Sequence, residues 1–181
     1  MFEELIAYHC APALAGIKTA NIVACQKKKI KNVSEEIDRL NREMNARGIY
    51  FHILNESEKR ALIIVYRYNI LEQYLKSDAI SSFLRKLGYP DEFSVKSYLN
   101  HLKKRLEYDS FPHEIGAFLG YPIHDIYGFI NQEQCLLVGD WKVYRDVERA
   151  KELFNRYSIC KCTVLKRVSE GRTLSQLFAA N

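Results

Sequence analysis

The chain has 181 residues, with 27 Lys and Arg against 22 Asp and Glu, a net charge of +5, and 48% apolar residues. That apolar share suits a compact core, and the length suits one domain of ~100–200 residues, read over 1–181. No stretch nears the ~20 apolar residues of a membrane span, and the mild positive charge, without an aromatic-laced basic stripe, argues against a nucleic-acid binder.

Phe2, Leu5, Ile6 and Cys10 recur at helical spacing. Pro12 disfavours helix at the residue before it, so the spacing predicts a stop near Cys10 and a second short helix from Pro12 to about Gly16. His9 and Cys10 would then sit on a joint. Asn21–Cys25 reads as a short strand, and Ser34–Arg47 as a helix capped by Ser34 and closed by Gly48. Ile49–Leu54 and Ala61–Tyr68 are β-branched and aromatic, and the polar NESEKR between them predicts a hairpin.

Helices follow over Ile70–Leu75, which can run on into Asp78–Leu87, and over Ser94–Tyr108, His113–Leu119 and Ile123–Asn131. Leu136–Tyr144 reads as one strand bent at Gly139. Val147–Tyr157 is a helix with Ala150, Leu153, Phe154 and Tyr157 inward, and Cys160–Phe178 a helical tail broken at Gly171. The sum is an α+β fold: a small, mostly antiparallel sheet of about four strands with helices packed mainly on one face.

Leu87-Gly88-Tyr89-Pro90 recurs as Leu119-Gly120-Tyr121-Pro122, each copy after a helical pattern. A helix stop accounts for both, with glycine left-handed and tyrosine packing back. The five cysteines, an odd number, follow an N-terminus whose acids do not suit a secretory signal. That combination predicts reduced thiols and a cytoplasmic location. Cys160-x-Cys162 with Cys135 is weak as a metal set, because two positions apart on a helix the thiols diverge.

The chemistry-bearing residues gather in three places. The first is His9-Cys10, with Lys18 downstream. As a nucleophile, Cys10 needs a lowered pKa and a base, a role open to His113; otherwise it is a buried core thiol. The second is His113-Glu114, which either reaches into a site or only finishes a helix end. The zinc-protease pattern is ruled out there, because Ala117 stands where the second histidine belongs. The third is Trp141-Lys142, a pocket floor and an anion contact, or a core tryptophan beside a surface lysine. The basic segment Lys27–Lys31 is an alternative interaction surface.

Together, His9-Cys10-Ala-Pro-Ala-Leu-Ala-Gly-Ile-Lys18, Phe111-Pro-His-Glu-Ile-Gly-Ala-Phe-Leu-Gly-Tyr-Pro122 and Trp141-Lys-Val-Tyr144 resemble an uncharacterised bacterial family of about this length. That family occurs largely in anaerobic Gram-positive species and is known only as a domain of unknown function. The resemblance spans nearly the whole chain and implies no activity. The chain departs from the family pattern at Ala13, where a threonine is frequent, and at Asp140, where an aromatic residue or cysteine is frequent. The reading reached from the residues is a small-ligand, metal or cofactor binding protein. Its pocket lies between the His9-Cys10 joint and the His113-Glu114 helix end. His9, Glu114 and Trp141 help to form it, and Lys18 or Lys142 supplies charge. The alternatives are a thiol enzyme using Cys10 and His113, and the Lys27–Lys31 interaction module. Cofactor, metal and ligand identity stay open.

Overall fold

The computed structural model describes residues 2–30, 32–108 and 111–178. Helix α1 (Phe2–Leu14) leads into strand β1 (Ala20–Gln26), helix α2 (Val33–Met44) and a 3-10 turn over 45–47. The hairpin β2 (Ile49–Glu56) and β3 (Arg60–Arg67) follows, then helices α3 (Tyr68–Leu75), α4 (Asp78–Lys86), α5 (Val95–Arg105), α6 (Ile115–Phe118) and α7 (Ile123–Ile130). The two-residue strands β4 (Leu137–Val138) and β5 (Lys142–Val143), the long α8 (Val147–Ser169) and the short α9 (Leu174–Leu177) complete the described chain.

The main sheet has three antiparallel strands in the order β1-β3-β2. The run Ala61–Tyr66 makes β3 central, since an unbroken apolar strand needs cover on both faces. Ala61, Ile63 and Val65 join Val23, Cys25 and Phe51 in one core, beneath residues of α1, α2, α8 and α9. Ile64 and Tyr66 join Leu54 in a second core, with residues of α3 to α7. The fold is therefore α+β with a small antiparallel sheet, but its helices cover both faces rather than gathering mainly on one. Each fully buried Leu or Ile contributes roughly 1.5–3 kcal/mol.

Three boundary expectations change. Helix α1 does not stop at Cys10: it runs through Pro12 to Leu14. Pro12 withholds one N–H from the ladder, near the helix end where the loss is small. The next N–H, that of Ala13, donates to Asn21 Oδ1 at 3.1 Å. The turn that follows closes as a Schellman motif, with Gly16 at φ +74 and Ile17 N–H donating to the Pro12 carbonyl at 3.0 Å. The expected strand Leu136–Tyr144 is instead the tight β4–β5 hairpin, turning at 139–141. A Cβ on Gly139 would stand 2.2 Å from the Phe154 ring, so this turn needs a residue without a side chain. The expected helix 147–157 also continues unbroken to Ser169, burying Ala150, Tyr157 and Val164 at seven-residue intervals.

The repeated helix stop is present in both copies. Tyr89 N–H donates to the Leu84 carbonyl at 3.2 Å, and Tyr121 N–H to the Gly116 carbonyl at 2.9 Å. Gly88 and Gly120 both have positive φ. The two tyrosines then diverge. Tyr89 is buried in the second core, whereas Tyr121 stands between two surface hollows.

Candidate functional site

Tyr121 and Leu119 form a wall with an apolar hollow on one side and a polar hollow on the other. The apolar hollow encloses about 380 Å³ between α6, α7 and the β4–β5 hairpin. Phe111, Ile115, Ile126, Phe129 and Trp141 line it, with His113 and Lys142 among its polar residues. His113 meets Phe129 edge-on at 5.2 Å, and the Lys142 ammonium lies 5.3 Å from the centre of the same ring.

Trp141 is 7% exposed and stacks on Tyr121 at 5.2 Å. Its indole N–H donates to Asp125 Oδ2 at 2.7 Å, while Asp125 Oδ1 accepts the Tyr144 N–H at 2.7 Å and the Arg145 N–H at 3.3 Å. A buried carboxylate that accepts three N–H groups is fully employed, so Asp125 fixes the hairpin onto α7.

The polar hollow encloses about 430 Å³ where α1, the turn before β1, the β4–β5 turn and α8 converge. Lys18 sits at its base, 6% exposed. The Schellman turn after Leu14 directs the chain so that Lys18 N–H bonds the Pro12 carbonyl while the side chain crosses to α8. Its ammonium stands 5.4 Å from the centres of both the Tyr121 and Tyr157 rings. No carboxylate lies within ion-pair distance of it among the described residues, and no hydrogen bond holds it there. Burial lowers its pKa from the ordinary 10.5 to about 8; Asp140 opposes that shift, Lys161 adds to it and Cys10 opposes it.

Around this lysine, Lys161 is ion-paired to Asp140 at 2.9 Å, and the Tyr121 hydroxyl donates to the Asp140 carbonyl at 3.2 Å. His9 is exposed at the rim, edge-on to Tyr8 at 4.8 Å. Burial and then Lys161 lower its pKa, which favours the neutral imidazole near pH 7.

The structure thus divides the expected residues. His9 and Lys18 share the polar hollow, and His113, Trp141 and Lys142 share the apolar one. Glu114 lines neither. It is 2% exposed, and its carboxylate accepts from the Arg105 guanidinium, with Nη2 at 3.4 Å, and from the Tyr89 hydroxyl at 3.5 Å. Cys10 also lines neither hollow. It is fully buried in the first core, and burial pushes its thiol pKa up, against the weaker pull of Lys18 and Lys161. Because α1 is continuous there, no helix N-terminus faces Cys10 to lower the pKa a nucleophile would need. The pairing of a Cys10 nucleophile with a His113 base is not assembled.

Reading the sequence missed Tyr157, Lys161 and Asp140 as neighbours of Lys18, and Tyr121 as the dividing wall. No local signal joins them, since α8 lies some 140 residues from Lys18 in the chain. Tyr121 carried a sufficient explanation as a helix stop. Elsewhere, Lys27 of the basic segment pairs with Glu56 at 2.7 Å, and Lys31 lies outside the described residues. All five cysteines are free, and Cys160 and Cys162 stand on α8. Among the described residues, no group of three His, Cys, Asp or Glu side chains is arranged to hold a metal ion, and no helix is long and apolar enough to cross a membrane.

Fold and hollows together define a small α+β protein with a buried lysine that, among the described residues, has no carboxylate within ion-pair distance, under a polar cleft. The chain belongs to the family described as "Protein of unknown function (DUF3793)", whose pattern matches residues 6–178. No curated protein and no solved structure matches it.

Proposed function

We propose that this is a cytoplasmic small-molecule-binding protein whose ligand is a small anion held in the polar hollow, anchored by Lys18 and flanked by Lys161 and His9. The observation that supports this is Lys18, a residue 6% exposed whose ammonium has no carboxylate within ion-pair distance among the described residues and which lines a hollow of about 430 Å³. Burying an ammonium costs several kcal/mol unless an anion compensates it; Asp140, itself ion-paired to Lys161, and the two tyrosine rings compensate only in part, since the pKa of Lys18 still falls. Free cysteines fit a reducing compartment.

Titrating phosphate and short carboxylates while following thermal unfolding tests this reading. Saturable stabilisation is expected in the wild type, about 2.7 kcal/mol at a hundredfold excess over Kd, and none in Lys18→Met. Equal stabilisation of both proteins, or of neither, overturns it.

The apolar hollow supports a second reading, a site for a flat apolar molecule with an acidic end. Its walls are aromatic and aliphatic, and the Lys142 ammonium stands over Phe129. Quenching or shift of the Trp141 fluorescence by such a molecule, lost in Phe129→Asp, is the expected result. An unchanged emission removes the reading.

A further inference from the structure

We infer that the anion bound in the polar hollow carries a carbonyl group beside its charge, as in a small aldehyde acid or keto acid, and that Lys18 condenses with that carbonyl as a Schiff base. This rests on the anion-binding reading above and deepens it.

The hollow holds two lysines in different settings. Lys161 is ion-paired to Asp140, so its charge is held in place and already partly met. Lys18 is enclosed by the Tyr121 and Tyr157 rings, each 5.4 Å from its nitrogen, and has no such partner. Simple anion attraction does not require burial, since an exposed lysine achieves it without the desolvation cost. Burial favours the uncharged amine over the ammonium even though the rings attract the charge, and the uncharged amine is the nucleophile. Lys18 is accordingly lowered to about 8, so near pH 7.5 its neutral fraction exceeds that of an ordinary lysine on the order of a hundredfold. The groups acting on that nitrogen are Asp140 from the hairpin turn, Lys161 from α8 and Cys10 from α1. His9, on the same hollow with its own pKa lowered, can accept and return protons there.

The step balances without oxidant or reductant. The neutral amine adds to the carbonyl carbon, and the proton it sheds goes to the carbonyl oxygen, giving a carbinolamine. The hydroxyl then leaves as water with the remaining nitrogen proton, and a carbon–nitrogen double bond forms between Lys18 and the ligand.

Trapping the imine tests this. The intact protein is incubated with glyoxylate and cyanoborohydride from pH 6 to 9, and carboxymethylated lysines are located by peptide mass spectrometry. Lys18 is expected to be modified at least about tenfold faster than the exposed Lys28 and Lys29 of the same sample, with a rate that rises through pH 8. Glycolate, which has the carboxylate but no carbonyl, should slow it. Lys18→Arg should keep the stabilisation by glycolate and lose the adduct. If that variant does not fold, the comparison among lysines within the wild type decides alone. Modification of Lys18 no faster than of Lys28 and Lys29 overturns the Schiff base. Should glycolate still stabilise the wild type in that case, the anion site stands; should it not, both readings fall.

Discussion

The Trp141 indole donates its N–H to Asp125 Oδ2 at 2.7 Å, joining the β4–β5 turn to α7. Because Asp125 also accepts two backbone N–H groups beyond β5, one carboxylate sets the hairpin that contributes Trp141 and Lys142 to the apolar hollow and Asp140 to the polar one.

Asp125→Asn should therefore cost about 2–3 kcal/mol of stability, since an amide offers a donor where at least one N–H needs an acceptor. Trp141 is the only tryptophan, so its emission during urea unfolding reports the loss directly. A midpoint unchanged from wild type would show the carboxylate to be dispensable.

Lys18 should leave a pH signature on stability. Its pKa falls from 10.5 to about 8 on folding, so between those values the unfolded chain holds more protons than the native one. Stability from this group therefore rises with pH across about 8 to 10.5, and below 8 the buried charge costs roughly 3 kcal/mol. In anion-free buffer, Lys18→Met should be the more stable protein at pH 7, with the difference closing towards pH 10.5. Denaturant midpoints of both proteins across that range measure it. A difference that does not vary with pH contradicts the assignment.

The two helix stops predict unequal costs for one substitution. At Gly88, φ is +86 and a Cβ would meet nothing within 4 Å, so Gly88→Ala should cost about 1 kcal/mol for the left-handed backbone alone. At Gly120, φ is +75 and a Cβ would stand 2.2 Å from Thr19 Oγ1 and 2.8 Å from its Cβ. Gly120→Ala should then lose roughly 1–3 kcal/mol more through overpacking beside Lys18. Paired thermal melts give the ranking, and equal losses would refute it.

Cysteine reactivity should follow exposure. Under native alkylation, Cys162 should react first and the half-buried Cys135 and Cys160 next, with Cys10 modified only as fast as the protein opens. Site-resolved mass spectrometry over time gives the order. Cys10 reacting ahead of Cys162 would revive the thiol nucleophile.

The family resemblance stated from the His9, Phe111 and Trp141 blocks agrees with the match over residues 6–178. Local patterns were legible because local forces set them. β-Branched and aromatic residues located β1, β2 and β3, Gly48 closed α2 and its 3-10 turn, and Leu-Gly-Tyr-Pro marked two helix ends. The reading misled where a distant partner outweighed a local preference. Packing and the Asn21 side chain carry α1 past Pro12, and Phe154 meets the turn that splits 136–144 into a hairpin.

By itself, the sequence determined the α+β class, most element positions and the residue types available for chemistry, since those depend on neighbours a few positions apart. Only the tertiary structure decided which of them meet. It enclosed Cys10 and paired Glu114 with Arg105, and it set His113 and His9 on opposite sides of Tyr121. It also buried the Lys18 ammonium between Tyr121 and Tyr157, because the cost and reactivity of a charge are set by what surrounds it in space, and here the surroundings come from α8, far along the chain.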